Sequence, residues 1–318
     1  MKIVILDGET LNPGDLSWAG IAAEGELTVH ARTSPDQVVE RIGTAEIVFT
    51  NKTPITRESI ACCPNLRYIG LLATGYNVVD VQAAREKGIP VSNIPTYGSM
   101  SVAQFATALL LELCHRIGDH SHAVRAGEWS KCADFCFCLS PLIELQGKVL
   151  GLVGFGRIGQ AFAGIAQALG MRVVVHDKVV NKALESATLK YVTLDELYDT
   201  ADVISLHCPL FDDNKGMINK DSIAKMKSSV MLINTARGPL INETDLAEAL
   251  NAGRVAGAAI DVLSCEPPPP DNPLLSAKNC IVTPHIAWST KEARQRLMGI
   301  AVDNLLSYKK GEPQNIVN

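Results

Sequence analysis

Between Val149 and Asp177 the chain spells out a strand, a glycine turn, a helix and a second strand, an order few folds accommodate. The apolar run Val149–Val153 leads into Gly154-Phe155-Gly156-Arg157-Ile158-Gly159, the pattern G-x-G-x-x-G. An amphipathic helix should follow, because Ile158, Phe162, Ile165 and Leu169 recur at helical spacing and Gly170 closes it. The next strand, Arg172–His176, leads to Asp177, eighteen residues beyond Gly159. Three glycines alone recur by chance. Set between a strand and a helix, and followed by that carboxylate, they form the fingerprint of a dinucleotide-binding β-α-β unit.

Each residue type there has a physical task. Gly154 permits the tight turn out of the strand, Gly156 lets the backbone approach a pyrophosphate, and Gly159 lets helix and strand pack closely. The first N–H groups of the helix, around Arg157 and Ile158, then face the anion. Asp177 can accept hydrogen bonds from both hydroxyls of an adenosine ribose and would repel a 2′-phosphate. The expected cofactor is therefore NAD (NADH for reduction), with the neighbouring cation Lys178 tempering the preference over NADP.

The rest of the 318-residue chain keeps the same alternation of short aliphatic runs and helical patterns. That is the mark of an α/β fold, with parallel sheets covered by helices on both faces. Further strands are expected at Lys2–Leu6, Ile47–Thr50, Leu66–Leu72, Pro90–Ser92, Val203–Leu206, Val230–Asn234, Val255–Asp261 and Cys280–Thr283. Further helices are expected over Ser34–Ile42, Ser101–Ile117, the segment after Asn242, and Ser289–Tyr308. Gly118–Leu145 has no clear period and reads as a connection over the surface. The length suits two domains.

Composition narrows the partners. A net charge of −5, few aromatic residues and no basic block argue against nucleic acid. No apolar run reaches the roughly 18 residues that span a bilayer. The start Lys2-Ile3-Val4-Ile5-Leu6-Asp7 reads as a buried strand rather than a signal peptide. No membrane partner is expected, and a cytoplasmic protein is. Nine scattered cysteines fit reduced thiols. The C-x3-C-x-C spacing of Cys132, Cys136 and Cys138 is no familiar zinc arrangement, so no metal is expected.

Three polar segments stand just past apolar strands. Asn234-Thr235-Ala236-Arg237-Gly238 follows Val230–Ile233, Asp261 and then Glu266 follow Ala258–Ile260, and His285 follows Ile281–Val282. In an open parallel sheet, ligands bind at the carboxyl ends of the strands, so all three segments deliver side chains to that edge. Reduction of a 2-keto acid suits these residue types. Arginine offers a planar fork for a carboxylate and can polarise a carbonyl oxygen as charge develops. Histidine can give the alkoxide a proton near neutral pH, and act as base in the reverse direction. Glu266 beside His285 would orient the ring and stabilise its protonated form.

With these motifs the chain resembles the D-isomer-specific 2-hydroxyacid dehydrogenase family, over nearly its whole length. The resemblance rests on the glycine motif at Gly154, on Asn234 to Gly238, on Asp261 with Glu266-Pro267, and on Thr283-Pro284-His285. It implies that Arg237, Glu266 and His285 form the catalytic triad. It implies a Rossmann-type NAD-binding domain, residues 101–288, inserted into a smaller flavodoxin-like α/β substrate domain, residues 1–100 and 289–318. Beyond the glycines, Arg157, Ile158 and Asp177, the cofactor contacts expected are Val102, the loop His207, Cys208 and Pro209 with Asn214, then Thr235, Ala236 and Asp261. Family members often place a threonine where this chain has Asn214. Substrate contacts are expected from Ala73, Thr74 and Gly75, through backbone N–H groups, and from Trp288 as a wall.

Within the family, Ala73 to Asn77, Ser101 to Phe105 and His285 to Trp288 look most like glycerate dehydrogenases, also called hydroxypyruvate reductases. Hydroxypyruvate and glyoxylate are the expected substrates, reduced to the D-2-hydroxy acid or formed in reverse. A phosphoglycerate or D-lactate dehydrogenase of the same family is the alternative, and a non-enzymatic NAD-sensing corepressor is another. The family also implies a homodimer paired around the helix near Ser101–Ile117, and the two-domain layout suggests closure over bound cofactor.

Overall fold

The computed structural model describes residues 1–318. The chain divides into two compact units, Met1–Gly98 with Trp288–Asn318, and Ser99–Ala287. Trp288, expected at the end of the nucleotide domain, falls in the first unit.

The first unit is built on a parallel sheet of five strands: β1 (Lys2–Ile5), β2 (Glu26–Val29), β3 (Ile47–Thr50), β4 (Tyr68–Leu71) and β5 (Val91–Ser92). Their order is β2-β1-β3-β4-β5. Alternate residues of one strand serve opposite faces. Ile47 and Phe49 join a core with Leu297, Ala301 and Leu305 of the helix Lys291–Lys309, while Val48 joins another with Ile42, Ile60 and Ala84. Both faces are therefore covered, as parallel sheets require. Strand β2 has no apolar alternation to mark it in the sequence. Glu26, Thr28 and Val29 are exposed, and pairing with β1, from Lys2↔Glu26 to Ile5↔Val29, defines it. The segment expected as one helix over Ser34–Ile42 starts with the tighter 3₁₀ turn Pro35–Gln37 before Val38–Ile42 becomes α-helical.

The second unit carries seven parallel strands: β6 (Val149–Val153), β7 (Arg172–His176), β8 (Leu189–Tyr191), β9 (Val203–Leu206), β10 (Met231–Asn234), β11 (Gly257–Ile260) and β12 (Cys280–Val282). The order β12-β11-β10-β9-β6-β7-β8 places the first strand inside the sheet, with the chain running outward from it in both directions. That is the doubly wound Rossmann arrangement, whose switch point lies between β6 and β9. Leu150 and Leu152 pack with Phe162 and Ala166 of the helix Arg157–Ala168 and with Ala106 and Leu110 of the helix Ser99–His115. On the other face Ile204, Leu206 and Leu232 pack with Leu197, Leu246 and Leu250.

The stretch expected as an irregular connection begins instead with a helix, Ile117–Arg125. Arg116, in the left-handed region at φ +46°, breaks it from the helix before. Only Ala123 of this short helix is buried, so it leaves no apolar period to read. No helix is long and apolar enough to cross a membrane.

Candidate active site

The turn after β6 is shaped by close backbone approaches. Gly154 sits at φ +96°, and a Cβ there would lie 2.6 Å from the amide nitrogen of Cys208, in the loop after β9. A Cβ on Gly159 would lie 2.4 Å from the carbonyl oxygen of Gly154. Both glycines are required by the protein's own packing. Gly156 differs. A Cβ there would meet nothing within 4 Å, so the space above it is open. Gly156 also caps the helix Arg157–Ala168 without any side-chain hydrogen bond, so the first N–H groups of that helix are left for another acceptor.

Asp177 stands just past β7. Its Oδ2 accepts a hydrogen bond from the Phe155 N–H at 2.5 Å, and its Oδ1 accepts one from the Val179 N–H at 2.8 Å. The carboxylate is thereby fixed at the lip of the glycine turn. Lys178, one residue on, is engaged by Asp213, with Nζ to Oδ2 at 2.6 Å. Across the switch point, His207 turns its ring inward. Its Nε2 lies 2.9 Å from the Ser205 Oγ, its ring meets Phe162 edge-on, and burial pushes its pKa down to about 4. Burial also pushes the Cys208 thiol up to about 11, with the nearby Asp177 charge adding to it. Both side chains are uncharged at neutral pH, so this loop offers a cofactor its backbone and neutral groups. Asn214 staples the same loop, accepting from the Phe211 N–H and donating to the Pro209 carbonyl, both at 2.8 Å.

A second group gathers at the ends of β10, β11 and β12. Asn234, fully buried at the end of β10, accepts from the Ala236 N–H at 3.0 Å and donates to the Arg237 carbonyl at 2.9 Å. This pins the turn that exposes the Arg237 side chain, whose Nη1 donates to the Ala236 carbonyl at 2.7 Å. The following residue, Gly238, touches the loop after β11 backbone to backbone, since a Cβ there would lie 2.0 Å from the Leu263 carbonyl carbon. That loop carries Glu266. Its Oε1 accepts from the Leu263 N–H at 3.0 Å, and its Oε2 lies 2.6 Å from the His285 Nδ1. The carboxylate thus selects the orientation of the ring and places a proton on Nδ1.

His285 is held by Asp261. The His285 N–H donates to the Asp261 carbonyl at 2.8 Å, which supports a backbone at φ +54°. The Asp261 carboxylate, buried, accepts from the Thr283 hydroxyl at 2.6 Å and from the N–H groups of Ile286 and Ala287 at 3.0 and 2.9 Å. Asp261, expected beside the cofactor, also holds the loop that presents His285. Ser101 ties the same loop to the helix Ser99–His115 by donating to the Ala287 carbonyl at 2.7 Å, next to the buried Val102.

Sequence reasoning missed Glu243. Its two oxygens accept from the Ser264 N–H at 2.6 Å and the Asn272 side chain at 2.7 Å, closing the proline-rich loop that bears Glu266. An acidic residue in the first turn of a helix is too common a signal to single it out. Among the expected cofactor residues, Thr235 has a buried hydroxyl without any hydrogen-bond partner. Such a group is costly unless a ligand completes it. With the open space above Gly156 and the fixed Asp177, this fits a dinucleotide.

In the first unit, Ala73, Thr74 and Gly75 follow β4. The Thr74 hydroxyl donates to the Ile94 carbonyl at 2.6 Å and the Asn93 side chain donates to the Thr74 carbonyl at 2.7 Å, fixing the turn. Trp288 meets Tyr97 edge-on with ring centroids 6.3 Å apart. No group of three His, Cys, Asp or Glu side chains is arranged to hold a metal; Cys136 and Cys138 are exposed and Cys132 half-buried.

Comparison with known proteins agrees with this fold. Residues 107–287 match the family model described as D-isomer specific 2-hydroxyacid dehydrogenase, NAD binding domain. A hydroxypyruvate reductase from Blautia hydrogenotrophica is 59% identical over 321 residues, covering 100% of both chains. A glycerate dehydrogenase from Methylorubrum extorquens is 39% identical over 319 residues, covering 99% of this chain and 98% of that protein. Among solved structures, an acyclic imino acid reductase in complex with NADPH and D-arginine is 31% identical, with a TM-score of 0.83 and 100% of each chain covered.

Proposed function

Because the chain belongs to the D-isomer specific 2-hydroxyacid dehydrogenase family, we propose that it reduces hydroxypyruvate, and glyoxylate as a second substrate, with NADH. At the level of the family the activity is plain: an NAD(H)-dependent oxidoreductase interconverting small 2-keto and 2-hydroxy acids. The observation that carries the reading is the 2.6 Å contact between Glu266 and His285, set at the same sheet edge as Arg237.

In this reading NADH, when bound, supplies the hydride. Gly156 and the helix start at Arg157 and Ile158 hold its pyrophosphate, and Asp177 takes the adenosine ribose, favouring NAD over NADP. Thr235 and Ala236, with Val102 and the loop His207 to Pro209, line the remainder. The Arg237 guanidinium binds substrate oxygens and stabilises the charge that develops on the carbonyl oxygen. His285 delivers a proton from Nε2 to that oxygen, while Glu266 at Nδ1 balances the charge of the protonated ring. The backbone N–H groups of Thr74 and Gly75 meet no acceptor in the protein and are open to an anion such as a carboxylate.

The test is NADH consumption with hydroxypyruvate, glyoxylate, pyruvate and 3-phosphohydroxypyruvate. Hydroxypyruvate should give the highest kcat/KM. Highest values for pyruvate or the phosphorylated acid would move the assignment to a D-lactate or phosphoglycerate dehydrogenase, and no consumption with any of them would leave a binding protein. A homodimer is the proposed assembly. It rests on the exposed apolar side chains Ile117, Val124, Trp129, Phe135 and Leu142 of the second unit. A one-chain mass by light scattering would remove it.

A further inference from the structure

We propose that Asp213 is a coenzyme-selectivity residue, which holds the Lys178 ammonium so that it cannot receive a 2′-phosphate. The proposal rests on the reading that Asp177 takes the adenosine ribose. In a Rossmann sheet the carboxylate after the second strand discriminates against the phosphorylated ribose, and a nearby cation accommodates it. This chain places the two opposing groups side by side, as Asp177 and Lys178. Left unrestrained, the lysine would undercut the aspartate.

The structure restrains it. Lys178 Nζ lies 2.6 Å from the Asp213 Oδ2 and 4.7 Å from the centre of the Phe211 ring. Asp213 is presented by a turn that Asn214 fixes through the Phe211 N–H and the Pro209 carbonyl. Lys178 follows β7 and Asp213 follows β9, and these strands flank β6 in the sheet. The ion pair therefore arches over the end of the strand that leads into the glycine turn. Both side chains are well exposed, at 65% and 63%. An exposed pair of this kind contributes little to folding, so stability does not account for the arrangement. Its consequence is local. The edge that would meet a 2′-phosphate presents two carboxylates and one cation that is already engaged.

The test compares binding of 5′-AMP and 2′,5′-ADP by calorimetry, which requires no turnover. Wild type should bind 5′-AMP more tightly. D213N should raise the affinity for 2′,5′-ADP relative to 5′-AMP by about three- to tenfold at low salt, the effect of the freed Lys178 ammonium turning to the 2′-phosphate dianion in water. The gain should fade as salt is raised. In a K178M background D213N should give less than half of that gain. An unchanged ratio in D213N would overturn the proposal. So would an equal gain with and without Lys178, because Asp213 would then act only through its own charge. Equal binding of both nucleotides by wild type would instead bring down the Asp177 reading, and the proposal with it.

Discussion

The two sheets solve the same topological problem and finish it in opposite ways. Each has a switch point, between β1 and β3 in the first unit and between β6 and β9 in the second. At such points backbone N–H groups converge at the carboxyl ends of strands and attract an anion. In the first sheet the anion is internal. The buried Asp7, after β1, accepts hydrogen bonds from the N–H groups of Asn51, Lys52 and Thr53, after β3, at 2.8, 2.6 and 2.7 Å. In the second sheet the Asp177 carboxylate takes a single N–H of the glycine turn, that of Phe155. Gly154 brings the two loops together, Gly156 keeps the space above open, and Asp177 stands back at the lip. The lesson is that topology offers a ligand site twice, and side chains decide which one is used.

The comparison can be broken by exchanging the roles of the glycines. Gly154→Ala should destabilise the fold by about 2–5 kcal/mol, from positive-φ strain and backbone overlap, read as a lower Tm. Asp7→Ala leaves three buried or half-buried donors without an acceptor, and a loss of about 2–4 kcal/mol in chemical denaturation is expected. NADH affinity should be untouched by that change. Gly156→Ala should behave in the reverse manner. Stability stays near wild type, while NADH binding weakens at least about tenfold, roughly 1.4 kcal/mol. If Gly156→Ala melted early with normal affinity, the open switch point would be a packing feature and the contrast would fail.

A smaller effect follows from His207, whose buried ring is held neutral. Its folded pKa, about 4, lies below the ordinary value of 6.5. Between those values the unfolded chain binds the extra proton. The stability tied to the neutral ring is thus full above pH 6.5 and is lost as pH falls towards 4. His207→Gln should flatten the acid limb of the stability profile by about 1–3 kcal/mol. An unchanged limb would place the acid sensitivity elsewhere.

Much of this was legible in residues whose task is repeated by their neighbours. The strand, turn, helix and carboxylate from Val149 to Asp177 reinforce one another, and so the nucleotide unit could be read directly. Strand β2 could not, because its exposed residues carry no alternation and only pairing with β1 makes it a strand. Among site residues, Arg237 and His285 stand out as polar groups after apolar strands. Asp261 stands out in the same way, but that its carboxylate also holds the Thr283, Ile286 and Ala287 groups is visible only in the fold. A carboxylate bound to backbone and one left for a ligand are the same letter in a sequence. Glu243 shares that ambiguity, since its partners Ser264 and Asn272 are close only after folding.

The division of labour proposed for Arg237, Glu266 and His285 gives the sharpest chemical test. Glu266→Gln removes the carboxylate that orients the ring but can keep a hydrogen bond to it, so activity should persist at a reduced kcat. His285→Gln removes the proposed proton donor itself. The decisive measurement is the rate of NADH oxidation with hydroxypyruvate for wild type and His285→Gln across pH 5 to 9. Steady consumption by wild type and a loss of about a thousandfold or more at every pH in the variant is the predicted result. Wild-type turnover in His285→Gln, or no turnover by wild type with any 2-keto acid, would contradict the account.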